Sequence, residues 1–218
     1  MSFPYYHPQI QVLIDLSSAI ITHVMSLRDA GQASLAYFFF DFRDKEKQNV
    51  RNFLNSLLIQ LSAHLNPCRN IMSRIYWAHG KGTSQPKIDA LTYYLHKMLF
   101  AAAAHRPIYL IIDAIDECPN FSGLPTPRAV LLDLLEELVE LRIPNLHICI
   151  TSRPDIDIKI VLEPLAYSTI SLHDESGQQQ DISDYVSKTV HSNRKMRKWR
   201  DKERKLVVKT LSEKADGM

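Results

Sequence analysis

Pro107-Ile108-Tyr109-Leu110-Ile111-Ile112 runs without a break into Asp113-Ala114-Ile115-Asp116-Glu117. An isoleucine-rich apolar run of this length predicts a strand buried on both faces, the mark of a central strand in a parallel α/β sheet. In such sheets ligands bind beyond the carboxyl ends of the strands, which is where Asp113, Asp116 and Glu117 fall. A carboxylate there suits a magnesium ion, held directly or through water beside a phosphate. A second acid just beyond it can orient or deprotonate an attacking water. An acidic turn after a strand is common in its own right, so the weight of the reading rests on a second strand tip.

That tip is Ile148-Cys149-Ile150-Thr151-Ser152-Arg153-Pro154, which closes a strand predicted over Asn145–Thr151. If the two strands are neighbours, Thr151 and Ser152 face a bound cofactor, where a hydroxyl polarises water. Arg153 can then clamp a γ-phosphate and register its loss. A lone arginine before a helix-starting proline is commonplace. Two strand tips with this chemistry in this order are much rarer.

Around the two tips the chain reads as alternating strands and helices. A helix is expected from about Ile10 to Arg28, with Leu13, Leu16, Ile20, Ile21 and Val24 near one face and Gly31 closing it. Ser34–Phe42 is an aromatic, β-prone run. Leu54, Leu57, Leu58, Leu61 and Leu65 make the apolar stripe of a second helix, broken at Asn66-Pro67. Helical pieces follow over Asn70–His79 and Lys87–Ala104, separated by a loop at Gly80–Ser84. Thr126-Pro127 predicts a capped helix start, with Leu131, Leu134, Leu135 and Leu138 as the core face of a helix ending near Arg142. A short helix at Asp155–Leu162, a last strand at Tyr167–Leu172 and two helices over Gln178–Met218, with Trp199 between them, complete the reading. Strands alternating with helices give βαβ units and a parallel sheet with right-handed crossovers.

Composition sets the outer bounds. At 218 residues and 25.1 kDa the chain accommodates one α/β domain with a small helical appendage. Its 45% hydrophobic and 23% charged residues are those of a soluble globular protein. Cys68, Cys118 and Cys149 are odd in number and widely spaced, so neither a disulfide framework nor a zinc site is expected, and Cys149 reads as a buried thiol. The net charge of +2 points to no obligate acidic partner. Basic residues concentrate in Arg194–Lys205, read as a solvated helix face, because no aromatic-interleaved or base-reading motif accompanies it. No specific nucleic-acid partner is expected. With no apolar stretch of membrane-span length and no leader at its start, the chain reads as intracellular, soluble and cytoplasmic. The absence of G-x-S-x-G and H-E-x-x-H argues against a hydrolase of those types.

YLIIDAIDEC followed by HICITSRP resembles the Walker B and sensor 1 regions of the NACHT family, signal-transducing P-loop ATPases and GTPases of the STAND class. More closely, the chain is similar to the nephrocystin-3-like N-terminal domain abundant in large fungal proteins, through AYFFFDFRDKEKQ, LLIQLS, DAIDECPN, IPNLHICITSRP and the closing LSEKADGM. The resemblance covers about Val12 to Met218. It implies a three-layer α/β/α domain serving as a nucleotide-controlled switch that self-associates or binds protein partners through its core. In that setting Asp113 is the magnesium-coordinating acid, Asp116 and Glu117 the catalytic acids, and Arg153 the sensor, with ATP or GTP and Mg²⁺ as cofactors.

The sequence departs from the family pattern at its start. A P-loop needs G-x-x-x-x-G-K-[ST] between a first strand and the first helix, yet no glycine precedes Gly31 and no lysine precedes Lys45. Gly80-Lys81-Gly82-Thr83 follows a helix and lacks the upstream glycine. The expectation is therefore a P-loop NTPase-like parallel sheet lacking its first strand and P-loop over residues 1–176, with the start of a helical segment over 177–218. Impaired nucleotide binding and no enzymatic turnover are expected. A non-catalytic interaction module or a non-functional gene fragment is the alternative.

Overall fold

A computed structural model of the chain describes residues 8–121, 123–170, 178–192, 196 and 199–214. It divides into two units, Met1–Ala166 and Tyr167–Met218.

The first unit opens with α1 (Pro8–Asp29). Gln32 N–H reaches back to Leu27 O at 2.9 Å while Gly31 adopts φ 75°, the left-handed closure a glycine provides at a helix end. β1 (Ser34–Phe39) follows, then α2 (Val50–His64), started by Asn49, whose side chain accepts the Arg51 N–H. α3 (Asn66–Ala78) carries Pro67 in its first turn, so the proline that ends one helix begins the next. A 3-10 turn at Gly80–Gly82 leads on to α4 (Ile88–Ala103), and Lys81 lies 5.0 Å over the Trp77 ring. β2 (Ile108–Asp113) runs into a 3-10 turn over Ile115–Glu117. α5 (Pro127–Glu140) starts on Thr126, whose hydroxyl accepts the Ala129 N–H at 3.2 Å. β3 (Leu146–Ile150) and α6 (Ile156–Leu162) complete the unit.

The three strands form one parallel sheet in the order β1-β2-β3, with Phe39 opposite Asp113 and Ile112 opposite Ile150. Alternation along each strand separates two cores. Ala36, Phe38, Ile108, Leu110 and Ile112 pack with α2 to α5, and Leu35 and Ile111 pack with Ile21 and Val24 of α1. The result is a sheet with helices on both faces, the three-layer α/β/α arrangement expected. Phe38, Phe40 and Phe53 anchor the larger core, with ring centroids 4.9–5.8 Å apart.

Several elements differ from the sequence reading. β1 stops at Phe39 because its ladder ends where β2 ends. The last rung is Phe40 N–H to Asp113 O at 3.1 Å, and Phe42 lies out in solvent. On α1, Leu16 is 41% exposed whereas Ser17 is fully buried. Cys149 is half-buried rather than buried. Tyr167–Ile170 is not a strand: Tyr167 and Ile170 are exposed and pair with no other strand, while residues 171 and 172 lie outside the described residues. Among the described residues, no helix is long and apolar enough to cross a membrane.

The second unit holds α7 (Gln178–Ser192) and α8 (Asp201–Lys214), packed against each other. Among the described residues of this unit, Val190 is buried. Trp199 is 38% exposed and holds α8 through its carbonyl, which accepts Nε and Nη2 of Arg204 at 3.0 and 2.9 Å.

Candidate functional site

The parallel register brings the two strand tips side by side, and Thr151 joins them. Its N–H donates to Ile112 O at 3.0 Å and its carbonyl accepts from Ile115 N–H at 3.1 Å. Its hydroxyl accepts the Ala114 N–H at 3.0 Å and donates to Asp113 Oδ1 at 2.7 Å. Ala114 turns the chain sharply off the strand in the left-handed region, at φ 55°. Ser17 of α1 donates a second hydroxyl to Asp113 Oδ1. One carboxylate oxygen thus ties β2 to β3 and to α1, and Asp113 is only 4% exposed.

Both hydroxyls go to Oδ1, and Oδ2 takes no hydrogen bond from the described residues. An oxygen so placed, at the carboxyl end of the central strand, fits a hard cation such as magnesium. Among the described residues no three His, Cys, Asp or Glu side chains gather to hold a metal by themselves.

The other acids are placed differently. Asp116 Oδ1 accepts the Arg153 N–H at 3.1 Å, and Oδ2 lies 3.3 Å from Arg153 Nε. The carboxylate of this pair is 9% exposed and the guanidinium 55%, so Arg153 pairs inward while most of its side chain meets water. The Ser152 hydroxyl donates to the Arg153 carbonyl at 2.7 Å and not to Asp113. Glu117 Oε2 accepts the Phe42 N–H at 2.9 Å, tying the loop after β1 to the site. Burial pushes the Glu117 carboxyl above its ordinary range; the Phe42 hydrogen bond pulls it down, Asp116 and Asp41 push it up, and Arg153 pulls it down. The structure brings Asp113 together with Thr151, and Asp116 with Arg153, leaving Glu117 and Ser152 on separate partners.

Two residues that sequence reasoning missed hold this arrangement. Ser17 left a signal: a hydroxyl at four and seven residues from Ile21 and Val24, on the face that packs against the sheet. Arg128 left none. It sits in the first turn of α5, 8% exposed, and donates Nε to Cys118 O at 2.9 Å and Nη2 to Asp116 O. Nη1 pairs with Asp155 at 2.8 Å and Asp157 at 3.3 Å. The guanidinium fixes the acidic turn and the start of α6 at once. The Cys118 thiol is fully buried and pushed up to about 12 by burial, against the pull of Arg128.

Against known families, the model of the nephrocystin 3 N-terminal domain matches residues 15–153. The chain belongs to the nephrocystin 3 N-terminal family. No curated protein and no solved structure shows significant similarity to it. The family match takes in both strand tips together with Ser17 and Arg128.

Proposed function

We propose that this nephrocystin 3 N-terminal domain is a NACHT-type switch of the STAND class, of the kind found in large fungal signalling proteins. The observation that carries the reading is the Thr151–Asp113 hydrogen bond, which joins an acidic and a hydroxyl-arginine strand tip at one end of the sheet. In this reading Asp113, as the Walker B acid, offers Oδ2 to magnesium carried by ATP or GTP. Asp113 is the residue that would hold magnesium, which if bound would supply positive charge against the phosphates. Thr151 and Ser17 hold the Asp113 carboxylate in one orientation. Glu117, its carboxyl raised by burial, holds or moves a proton of water near the site. Arg153 is the sensor: to reach a phosphate it leaves Asp116, and that exchange is the switching event. Residues 1–218 contain no glycine-rich loop with its lysine, so the phosphates lose their main cradle and binding is weak, with hydrolysis by this chain alone slow or absent.

A second reading is favoured by the Asp116–Arg153 pair. The two groups satisfy each other without a ligand, as expected of a non-catalytic interaction module that keeps the fold and not the turnover. A thermal-shift titration with Mg-ATP and Mg-GTP separates the two, because a ligand that binds the native state alone raises Tm. A rise seen in the natural chain and lost in Asp113→Asn supports the switch. A cooperative melt with no shift at saturating nucleotide overturns it and leaves the interaction module.

A further inference from the structure

α3 packs on α2 and α4 rather than on the sheet, so its outer side is a surface of the first unit. From the start of α3 to the end of α4, Arg69, Arg74, Lys81, Lys87 and Lys97 stand against a single acid, Asp89. The net charge of +2 conceals this local excess. Arg69 donates to Ala63 O at 3.1 Å. Among the described residues, Arg74, Lys81, Lys87 and Lys97 pair with no carboxylate. Every large apolar side chain exposed on this stretch is aromatic: Tyr76, Trp77, Tyr93 and Phe100.

Two of the cations are held over two of the rings. Lys81 Nζ lies 5.0 Å from the centre of the Trp77 ring and Lys97 Nζ 5.4 Å from that of Tyr93. In both cases the lysine follows its ring by four residues. Along α4 that spacing alone puts the two side chains together. After α3 the helix has ended, and the chain curls to bring Lys81 back. It does so through three successive left-handed residues, Gly80 at φ 62°, Lys81 at φ 58° and Gly82 at φ 85°. The glycines adopt this conformation readily, and a lysine between them is uncommon. A neighbouring ring braces each platform edge-on, Tyr76 beside Trp77 at 5.8 Å and Tyr94 beside Tyr93 at 5.5 Å. Trp77 is nevertheless 64% exposed and Tyr93 55%. Gly80-Lys81-Gly82-Thr83, no P-loop, serves here to set a cation on an exposed indole.

We propose that this outer face of α3 and α4 binds single-stranded nucleic acid without sequence preference. Each lysine–ring pair suits one nucleotide: a base stacks on the ring and the ammonium meets its phosphate. Arg74 and Lys87 add phosphate contacts. Charge complementarity calls for a polyanion, and the purely aromatic character of the exposed apolar groups calls for one with flat π-faces. An anionic lipid surface is the poorer match. The exposed residues beside Trp77 on the outer side of α3 are Asn70, Ser73 and Arg74, and sinking them among acyl chains is costly. Stacking is blind to base identity, since every base offers a π-face. The inference uses none of the strand-tip side chains and stands apart from the nucleotide switch.

Fluorescence anisotropy of labelled oligothymidylate and oligouridylate of about 12 nucleotides, titrated with the full chain at several salt concentrations, tests it. The expected result is saturable binding whose log K falls with log salt at a slope of about −3, four cations contributing about −0.7 each. Trp77→Leu and Tyr93→Leu keep an exposed apolar side chain without a ring, and each is expected to weaken binding roughly tenfold. Lys81→Gln combined with Lys97→Gln is expected to flatten the salt slope by about 1.4. Tryptophan emission of the natural chain gives a second readout, because a base stacked on Trp77 quenches it. The basic run Arg194–Lys205 offers charge alone to any polyanion, so binding indifferent to both leucine variants overturns the proposal. Emission unchanged at saturation, no binding at low salt, or binding to phosphatidylserine vesicles with none to either oligonucleotide overturns it as well.

Discussion

Asp113 has two jobs that different substitutions pull apart. Its Oδ1 receives the hydroxyls of Ser17 and Thr151, both on buried residues. Asp113→Ala leaves both donors without their acceptor and is predicted to cost about 2–6 kcal/mol, at about 1–3 kcal/mol for each stranded group. Asp113→Asn keeps an acceptor oxygen of the same shape and is predicted to cost clearly less, while removing the charge a cation needs. Urea denaturation of the two variants measures the difference. Glu117 makes a prediction about pH. Because burial raises its folded-state pKa above the ordinary 4.5, the folded chain holds a proton that the unfolded chain gives up. This stabilisation is complete below the unfolded value and is lost as pH rises through the folded one. Glu117→Gln still offers an oxygen to the Phe42 N–H but cannot ionise. The natural chain should therefore lose stability relative to Glu117→Gln as pH climbs above 4.5, and a flat difference across that range would contradict the assignment.

At the level of elements, β2 was legible in the sequence because a strand buried on both faces leaves an unbroken apolar run, and Ile108 to Ile112 show one. The stripe of α2 was legible for the same reason, through leucines at helical spacing. Boundaries failed where partners and not propensity decide them. The aromatic run past Phe39 is as β-prone as the strand itself, yet β2 has no residue left to pair with it. Pro67 read as a breaker and proved to be a first-turn residue. Ser17 directly follows Leu16, the residue read onto the core face of α1, and was hidden by a phase error of one residue. Arg128 was invisible because its meaning lies in carbonyls and carboxylates brought together only by folding. It links the acidic turn to the start of α6, with its side chain 10% exposed and its carboxylate partners 42% and 36%. Since those partners reach water, Arg128→Ala is predicted to cost about 2–3 kcal/mol, mostly from the stranded carbonyls of Asp116 and Cys118. In the same variant Glu117 should titrate differently, as the turn that holds it loosens; NMR of the Phe42 amide follows both effects.

Within the first unit, the sheet carries the strand-tip site at its carboxyl end, with helices covering both faces. Phe53 sits at the centre of the larger core at 0% exposure, between Phe38 and Phe40. Phe53→Ala is predicted to cost about 3–5 kcal/mol, a large share of a domain's net stability, measurable as a drop in Tm with cooperativity retained. Family and layer architecture could be read from the sequence because two strand tips and their spacing carry them. What the tips do depends on which side chains satisfy each other, and only the three-dimensional arrangement shows that Asp116 is held by Arg153 while, among the described residues, Asp113 Oδ2 takes no hydrogen bond. The most direct test of the site is paramagnetic NMR with Mn²⁺-ATP and Mn²⁺-GTP, which broadens amides near the bound ion. The account predicts selective broadening at Ala114 and Thr151, abolished in Asp113→Asn. Broadening elsewhere, or none at saturating nucleotide, would contradict it.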